Sequence, residues 1–226
     1  MKSVTTLIEA SAWGRVLTPH ELDRVIAHSN ERCVPAQGYV ARMGEPATHW
    51  IGLAEGLLKM SVMSADGRVS SLSGVSTAAW FGEGSLLKRE ARRYDVIALR
   101  PSRLVLVPAA TFEWLRQTSL PFNHYLQHLM NARLSLFIGM LEVGRLMDAD
   151  AQVARCIGAL FHPDLYPDRE AFVDLNQAEI GLLCGLSRQR VNIALKHLAD
   201  AGLLKPETRG LTVLDVNGLR SYAGVA

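Results

Sequence analysis

Cysteine is scarce in this sequence: Cys33, Cys156 and Cys184 are all it has, and they stand far apart. No CxxC pair occurs and no Cys/His spacing suits zinc or an iron–sulfur cluster, which excludes zinc ribbons and cluster-based sensors. Each cysteine has apolar or small neighbours and reads as a small core hydrophobe, a usage that suits a reducing compartment. Long apolar runs are missing as well; none approaches the roughly 18 residues of a membrane span. The first residues, MKSVTTLIEASAWG, hold one lysine and no stretch long enough for a signal peptide. A soluble, cytoplasmic protein without membrane contact is expected. There is no nucleophile elbow, phosphate-binding glycine loop, HExxH or paired-carboxylate signature, and His20, His28 and His49 are too scattered for a site. No enzyme is expected. Nor is there an excess of one charge: the net value is +2, so a nucleic-acid partner would have to meet a local patch.

What is present is an ordinary globular composition over 226 residues, 49% hydrophobic and 20% charged, without internal repeats. That is enough for one large domain or two modest ones. Thr18 reads as an N-cap, with Pro19 at the first helical position and Glu21 reinforcing the cap. From about Val34 to Pro108 glycine recurs between short apolar stretches. The stretch 57–63, a turn carrying Asp66-Gly67, and the stretch from Arg68 to Leu72 predict a hairpin. Residues 96–99 and 104–107 flank another turn at Pro101-Ser102. Strands at this spacing suggest an antiparallel barrel or roll.

From Ala110 to about Met147 the period becomes helical. Phe122, Leu126, Leu129, Arg133, Leu136, Met140, Val143 and Met147 form a heptad seam broken once, by Arg133. A second apolar row, Met130, Leu134, Phe137 and Leu141, lies beside it. Two rows allow one to pack on the chain's own strands and one on a twin helix; the seam from Phe122 to Met147 is taken as the dimer contact. His124 and His128 lie four apart on this helix, a spacing open to metal or haem ligation and equally to two solvated side chains; no metal is expected. Asp148-Ala149-Asp150 starts a further helix through Val153, Ala154, Ile157 and Leu160, and His162-Pro163-Asp164 and Tyr166-Pro167-Asp168 interrupt the chain after it.

The densest signal runs from 174 to 202. Asn176 can cap a helix, with Glu179 returning to the capping amide. Ile180, Leu183 and Cys184 form its inner side, and Gly181 allows a second helix close by. Gly185-Leu186 makes the turn, Ser187 caps the second helix, and Gly202 ends it. Val191, Ala194, Leu195 and Leu198 face inward. This is a helix-turn-helix. Arg188, Gln189, Arg190, Asn192 and Lys196 point away from the apolar face, and no acid occurs between Ser187 and His197. Solvated helix faces usually mix both signs. A uniformly positive one attracts phosphates, and Arg, Gln and Asn pair with base edges. The residues 203–214 read as a hairpin, a wing whose tip carries Arg209 to touch phosphate.

Roll, long helix and winged helix-turn-helix, in this order, resemble the bacterial cyclic-AMP receptor/fumarate-nitrate regulator (CRP/FNR) family. The matching pieces are Gly44-Glu45-Pro46, Gly56 followed by Asp66-Gly67, Phe81-Gly82-Glu83, Arg93, and Glu179-Ile180-Gly181 through Ser187-Arg188-Gln189-Arg190-Val191. The resemblance implies an α+β fold: a roll domain over 1–110, a dimerisation helix over 111–147 and a winged helix-turn-helix over 148–226. It also implies dimers on palindromic promoter DNA, RNA polymerase as a partner, and an effector in the roll that reorients the DNA-binding domains. Arg188 would reach guanine, Gln189 the next base, and Ser187 and Arg190 phosphates. The cyclic-AMP receptor has Glu where Gln189 stands, so the target site should differ. Gly82, Glu83 and Arg93 stand where that receptor clasps ribose and phosphate, but Tyr94 replaces a serine. Its Thr-Ser pair on adenine falls on apolar Phe137 and Ile138, which argues against cyclic AMP. Lys88, Arg89, Arg92 and Arg93 could receive another small anionic effector, or form a solvated loop. The rival function is a sensing adaptor whose helix-turn-helix makes protein contacts.

Overall fold

The computed structural model describes residues 3–63, 66, 69–167 and 170–223. Two helices come first, α1 (Val4–Ala10) and α2 (Pro19–His28). The capping box expected at Thr18 and Glu21 is present, with Pro19 in the first turn. Six strands follow: β1 (Asn30–Val34), β2 (Tyr39–Ala41), β3 (His49–Glu55), β4 (Leu57–Met63), β5 (Val69–Ser76) and β6 (Trp80–Phe81). A short helix α3 (Glu83–Lys88) leads to β7 (Asp95–Ala98) and β8 (Ser102–Pro108). They make two antiparallel four-stranded sheets, ordered β1-β8-β3-β6 and β2-β7-β4-β5. The hairpin read at 57–72 is β4 with β5; Ser64, Ala65, Gly67 and Arg68 of its turn lie outside the described residues. The strands on either side of Pro101-Ser102 belong to different sheets, so this link crosses between layers rather than closing a hairpin.

The helix expected from Ala110 to Met147 is two helices, α4 (Ala109–Thr118) and α5 (Leu120–Leu146). Ser119 between them is extended. Pro121 supplies the reason: proline is tolerated only in a helix's first turn, where its missing N–H has no intrahelical partner. Asn123 Nδ2 bridges the break by donating to the carbonyls of Arg116 and Ser119. Then come α6 (Ala149–Ala159), capped by Asp148, β9 (Phe172–Val173), α7 (Gln177–Cys184), α8 (Arg188–Asp200), β10 (Leu204–Glu207), β11 (Gly210–Val213) and α9 (Val216–Ser221). The wing is a three-stranded sheet, β10-β11-β9. Among the described residues no helix is long and apolar enough to cross a membrane.

The chain divides into two compact units, one of residues 1–62 and 74–132 and one of 63–73 and 133–226. In the first, the rings of Trp13, Trp50, Trp80, Phe112 and Phe122 interlock, with Trp50–Trp80 centroids 4.7 Å apart and Trp13 edge-on to Trp80 at 4.8 Å. Edge-to-face and offset contacts of this kind suit the ring quadrupoles. The second unit has a leaner core of Ala151, Ala154, Ile157, Val191, Ala194 and Leu198, all buried.

The first part of the heptad seam and Val143 are turned into the chain's own packing, which corrects Phe122, Leu126, Leu129 and Val143 as dimer contacts, while Leu136, Met140 and Met147 are half-buried. Phe122, Leu126 and Leu129 are buried in the first unit, Phe122 against Trp13, Trp50 and Phe112. Leu136, Met140, Val143 and Met147 line a cleft within the second unit. Between its ends, at Leu120 and Leu146, α5 also exposes Met130, Leu134, Phe137, Ile138 and Leu141, 43–58% accessible. A period of 3.5 identifies rows but not which of them the rest of the chain covers.

Candidate nucleic-acid interface and effector site

Local rules build the reading head. Asn176 Oδ1 accepts from the amides of Ala178 and Glu179, while Glu179 receives the Asn176 amide, closing the capping box that starts α7. The helix ends at Gly185, whose φ of 69° belongs to the left-handed region that other residues resist. Gly181 faces the turn: a Cβ there would come within 2.6 Å of the Leu186 carbonyl oxygen, which accounts for glycine at this point. Ser187 then caps α8 by accepting the Arg190 amide at 3.2 Å.

On α8 the side chains of Arg188, Gln189 and Lys196 are exposed, as is Ser187 ahead of it. Arg209 is exposed at the turn of the β10–β11 hairpin, where Glu207 pairs with Gly210 in the register. Arg188 and Arg209 line one groove of about 490 Å³, together with Asn176 and Gln177 at the start of α7. Two cations beside a helix N-terminus, against one carboxylate, Glu207, give the groove a net preference for negative charge.

Two expected contacts are occupied otherwise. Arg190 turns toward its own protein: Nη1 lies 2.6 Å from Oδ1 of buried Asp150 at the start of α6. The other oxygen of Asp150 meets His197 Nδ1 at 2.7 Å. Burial alone would raise the Asp150 carboxyl, but the bonds and charges of His197 and Arg190 outweigh it and hold it below its ordinary value. Asn192 is half-buried, and its Oδ1 accepts from Gln177 Nε2 at 3.0 Å, tying α8 to the first turn of α7. Ile193, 41% exposed, stands on the outward face beside Gln189 and Lys196. Neither Gln177 nor Ile193 was anticipated. Helical spacing from Gln189 was a usable signal for Ile193, and an apolar side chain there suits a thymine methyl.

In the sheets, Gly82 caps α3 in a left-handed conformation and Glu83 is buried. The arginine beside them is Arg92, not Arg93. Arg92 is buried and donates to the carbonyls of Gly82, at 3.0 Å, and His49. The side chain of Arg93 is 74% exposed, and its nearest carboxylate is Glu90 at 3.9 Å. Tyr94 is half-buried, and Phe137 and Ile138 are exposed on α5. The basic cluster around α3 is paired within the fold: Lys88 also approaches Glu90, and Arg89 reaches Glu113 at 3.4 Å. The hydrogen bond from Arg116, joined by that from Gln117 and by the charges of Arg116 and Arg89, lowers the Glu113 carboxyl to about 2 against the opposing effect of burial.

The cysteines also differ from expectation. Cys33 is exposed on β1, an edge strand, rather than in the core. The Cys184 thiol lies in hydrogen-bonding reach of Cys156, and that bond together with burial pushes it well above its usual value. His124 and His128 are exposed on α5.

Two antiparallel sheets with a short helix after β6, joined to a winged helix-turn-helix, define a transcription regulator with a sensing fold and a DNA-binding fold. Residues 31–119 match the cyclic nucleotide-binding domain and residues 151–222 the Crp-like helix-turn-helix domain. The cAMP-activated global transcriptional regulator Vfr of Pseudomonas aeruginosa is 23% identical over 203 residues, 85% of this chain and 92% of that protein. The cAMP-activated global transcriptional regulator CRP of Pasteurella multocida is 24% identical over 200 residues, covering 85% and 93%. Among solved structures, FixK2 from Bradyrhizobium japonicum superposes with a TM-score of 0.72 at 18% identity, covering 88% of this chain and 98% of that one. The regulator CLP of Xanthomonas campestris, described as responsive to c-di-GMP, gives 0.62 at 21% identity over 87% and 99%. The chain belongs to the CRP/FNR family of DNA-binding transcription regulators.

Proposed function

We propose that the protein is a homodimeric regulator that reads palindromic promoter DNA through α8 and couples it to a signal received by the sheet domain. The observation that carries this is the groove shared by exposed Arg188 and Arg209, beside an outward face of Gln189, Ile193 and Lys196. Arg188 and Gln189 take base edges, Ser187 and Arg209 take phosphates, and Lys196 adds charge along the backbone. Asn192 positions α8 through Gln177. Arg190 orients α8 through Asp150 and is withdrawn from the phosphate role. RNA polymerase is the partner at promoters.

The dimer contact in this proposal is the exposed row Met130, Leu134, Phe137, Ile138 and Leu141. Two such rows in apposition set the recognition helices about 34–36 Å apart, one turn of duplex. Cyclic AMP is not the ligand of the sheet domain in this proposal. Arg93 is outside with Glu90, and the Arg92 guanidinium lies so close to Gly82 that a Cβ there would meet Nη1 at 2.3 Å. One named relative is cAMP-activated and another c-di-GMP-responsive, so effectors differ within the family.

Selection of bound sites from a random duplex pool, followed by competition binding, tests the proposal. Arg188→Ala should cost about 1–3 kcal/mol and relax discrimination at one base pair per half-site; unchanged discrimination would remove Arg188 from base reading. Leu134→Glu with Leu141→Glu should yield monomers by light scattering. A dimer that survives both changes places the twin contact elsewhere.

A further inference from the structure

The second unit contains a cleft of about 320 Å³, open to solvent and bordered by the C-terminal half of α5, by α6, by the end of α7 and by Arg220 of α9. That is the lower end of the range for small-molecule sites. Leu136, Met140, Val143 and Leu183 make much of its wall apolar. Its charge is lopsided: Arg155 and Arg220 line it against a single acid, Glu142. Arg220 spends one nitrogen on the Phe161 carbonyl, at 2.7 Å. The Nε of Arg155 is buried with no hydrogen-bond partner among the described residues. Arg155, half-buried, brings a guanidinium to a largely apolar wall, where an anionic group would complement its charge. Cys184 adds no opposing charge, because its neighbour Cys156 and its burial hold it in the neutral thiol form.

The wall also contains two glycines that packing does not require. A Cβ at Gly139 or at Gly144 would meet nothing within 4 Å, and neither has a left-handed backbone. Glycine inside a helix costs about 1 kcal/mol relative to alanine. Keeping two along one cleft leaves its volume open at the expense of α5.

We propose that this cleft binds a small carboxylate with an apolar body, its head on Arg155 and its chain along Leu136, Met140 and Leu183. It is a second ligand site, inside the DNA-binding half and independent of the sheet domain.

Calorimetric titration of the full-length protein with sodium octanoate tests this, with octanol and octylammonium as neutral and cationic controls. One octanoate per chain should bind, and both controls should bind at least about tenfold more weakly, the worth of one charge-assisted hydrogen bond. Arg155→Gln should lose a similar factor and Arg155→Lys should recover part of it. Gly139→Leu, which fills the space with a good helix former, should abolish binding while thermal unfolding shows an intact fold. Four results would overturn the proposal: no saturable heat with octanoate up to about 1 mM, equal binding of octanol, full binding by Arg155→Gln, or full binding by Gly139→Leu.

Discussion

The two units each hold an arginine against the fold, and they do so by opposite means. In the sheets, Arg92 is buried and clamped by two backbone carbonyls, beside a core of five interlocked aromatic rings. Around the recognition helix, Arg190 is only two-thirds covered and is held by a side-chain carboxylate, over a core of alanines and short aliphatics. A backbone carbonyl neither titrates nor mutates; a carboxylate does both. The contrast suggests a division of labour: the sheet unit draws stability from buried area, and the helical unit holds its reading head by a polar link that solution conditions can loosen.

The largest test of this contrast is Trp50→Ala. Trp50 is fully buried and touches Trp13, Trp80, Phe112 and Phe122. Truncating a buried large aromatic residue costs about 3–5 kcal/mol. Tryptophan fluorescence during denaturant unfolding reports this unit, since the remaining Trp13, Trp80 and Trp114 all lie in it. A loss below about 1 kcal/mol, the typical effect of any point change, would show that stability does not reside in the ring cluster.

Asp150→Asn is the matching test of the helical unit, with a smaller effect. Asp150 itself is buried, but its partners Arg190 and His197 are 33% and 42% exposed and can turn to water. The cost should therefore be about 1–2 kcal/mol, below that of a fully buried charge pair. The pH dependence has a definite sign. The folded carboxyl titrates below its ordinary value, so its contribution is complete at neutral pH. It is lost as pH falls through the ordinary aspartate range and then through the folded value. The stability gap between wild type and Asp150→Asn, measured by denaturant unfolding, should narrow on acidification. A gap that stays constant would mean that the carboxylate charge does not hold α8.

What could be foreseen in this molecule follows the range of the interactions. The caps at Thr18, Asn176 and Ser187 and the turn at Gly185 each act within about four residues, and all were legible. So was the break at Ser119, had Pro121 been weighed against the heptad. Arg92, Arg190 and Asn192 were assigned outward because their partners are distant: His49 lies 43 residues from Arg92, and Gln177 lies 15 from Asn192. Periodicity separated two apolar rows on α5 but had no means to tell that Phe122 belongs with Trp13 and Trp50. The meeting of Cys156 with Cys184 depends on the packing of α6 on α7, which no local pattern encodes.

Arg209→Ala should have the smallest effect and the clearest form. Arg209 makes no ion pair among the described residues, so its loss should leave unfolding almost unchanged, within about 0.5 kcal/mol as for other surface substitutions. On DNA it should weaken every sequence alike, because a phosphate carries no base identity. Each phosphate neutralised contributes about 0.9 to the slope of log affinity against log salt, so the slope should fall by about that much per wing. Arg188→Ala should instead alter the ranking of sequences. If Arg209→Ala changes the ranking and leaves the salt slope intact, the wing reads bases, and the groove it shares with Arg188 does not carry the backbone.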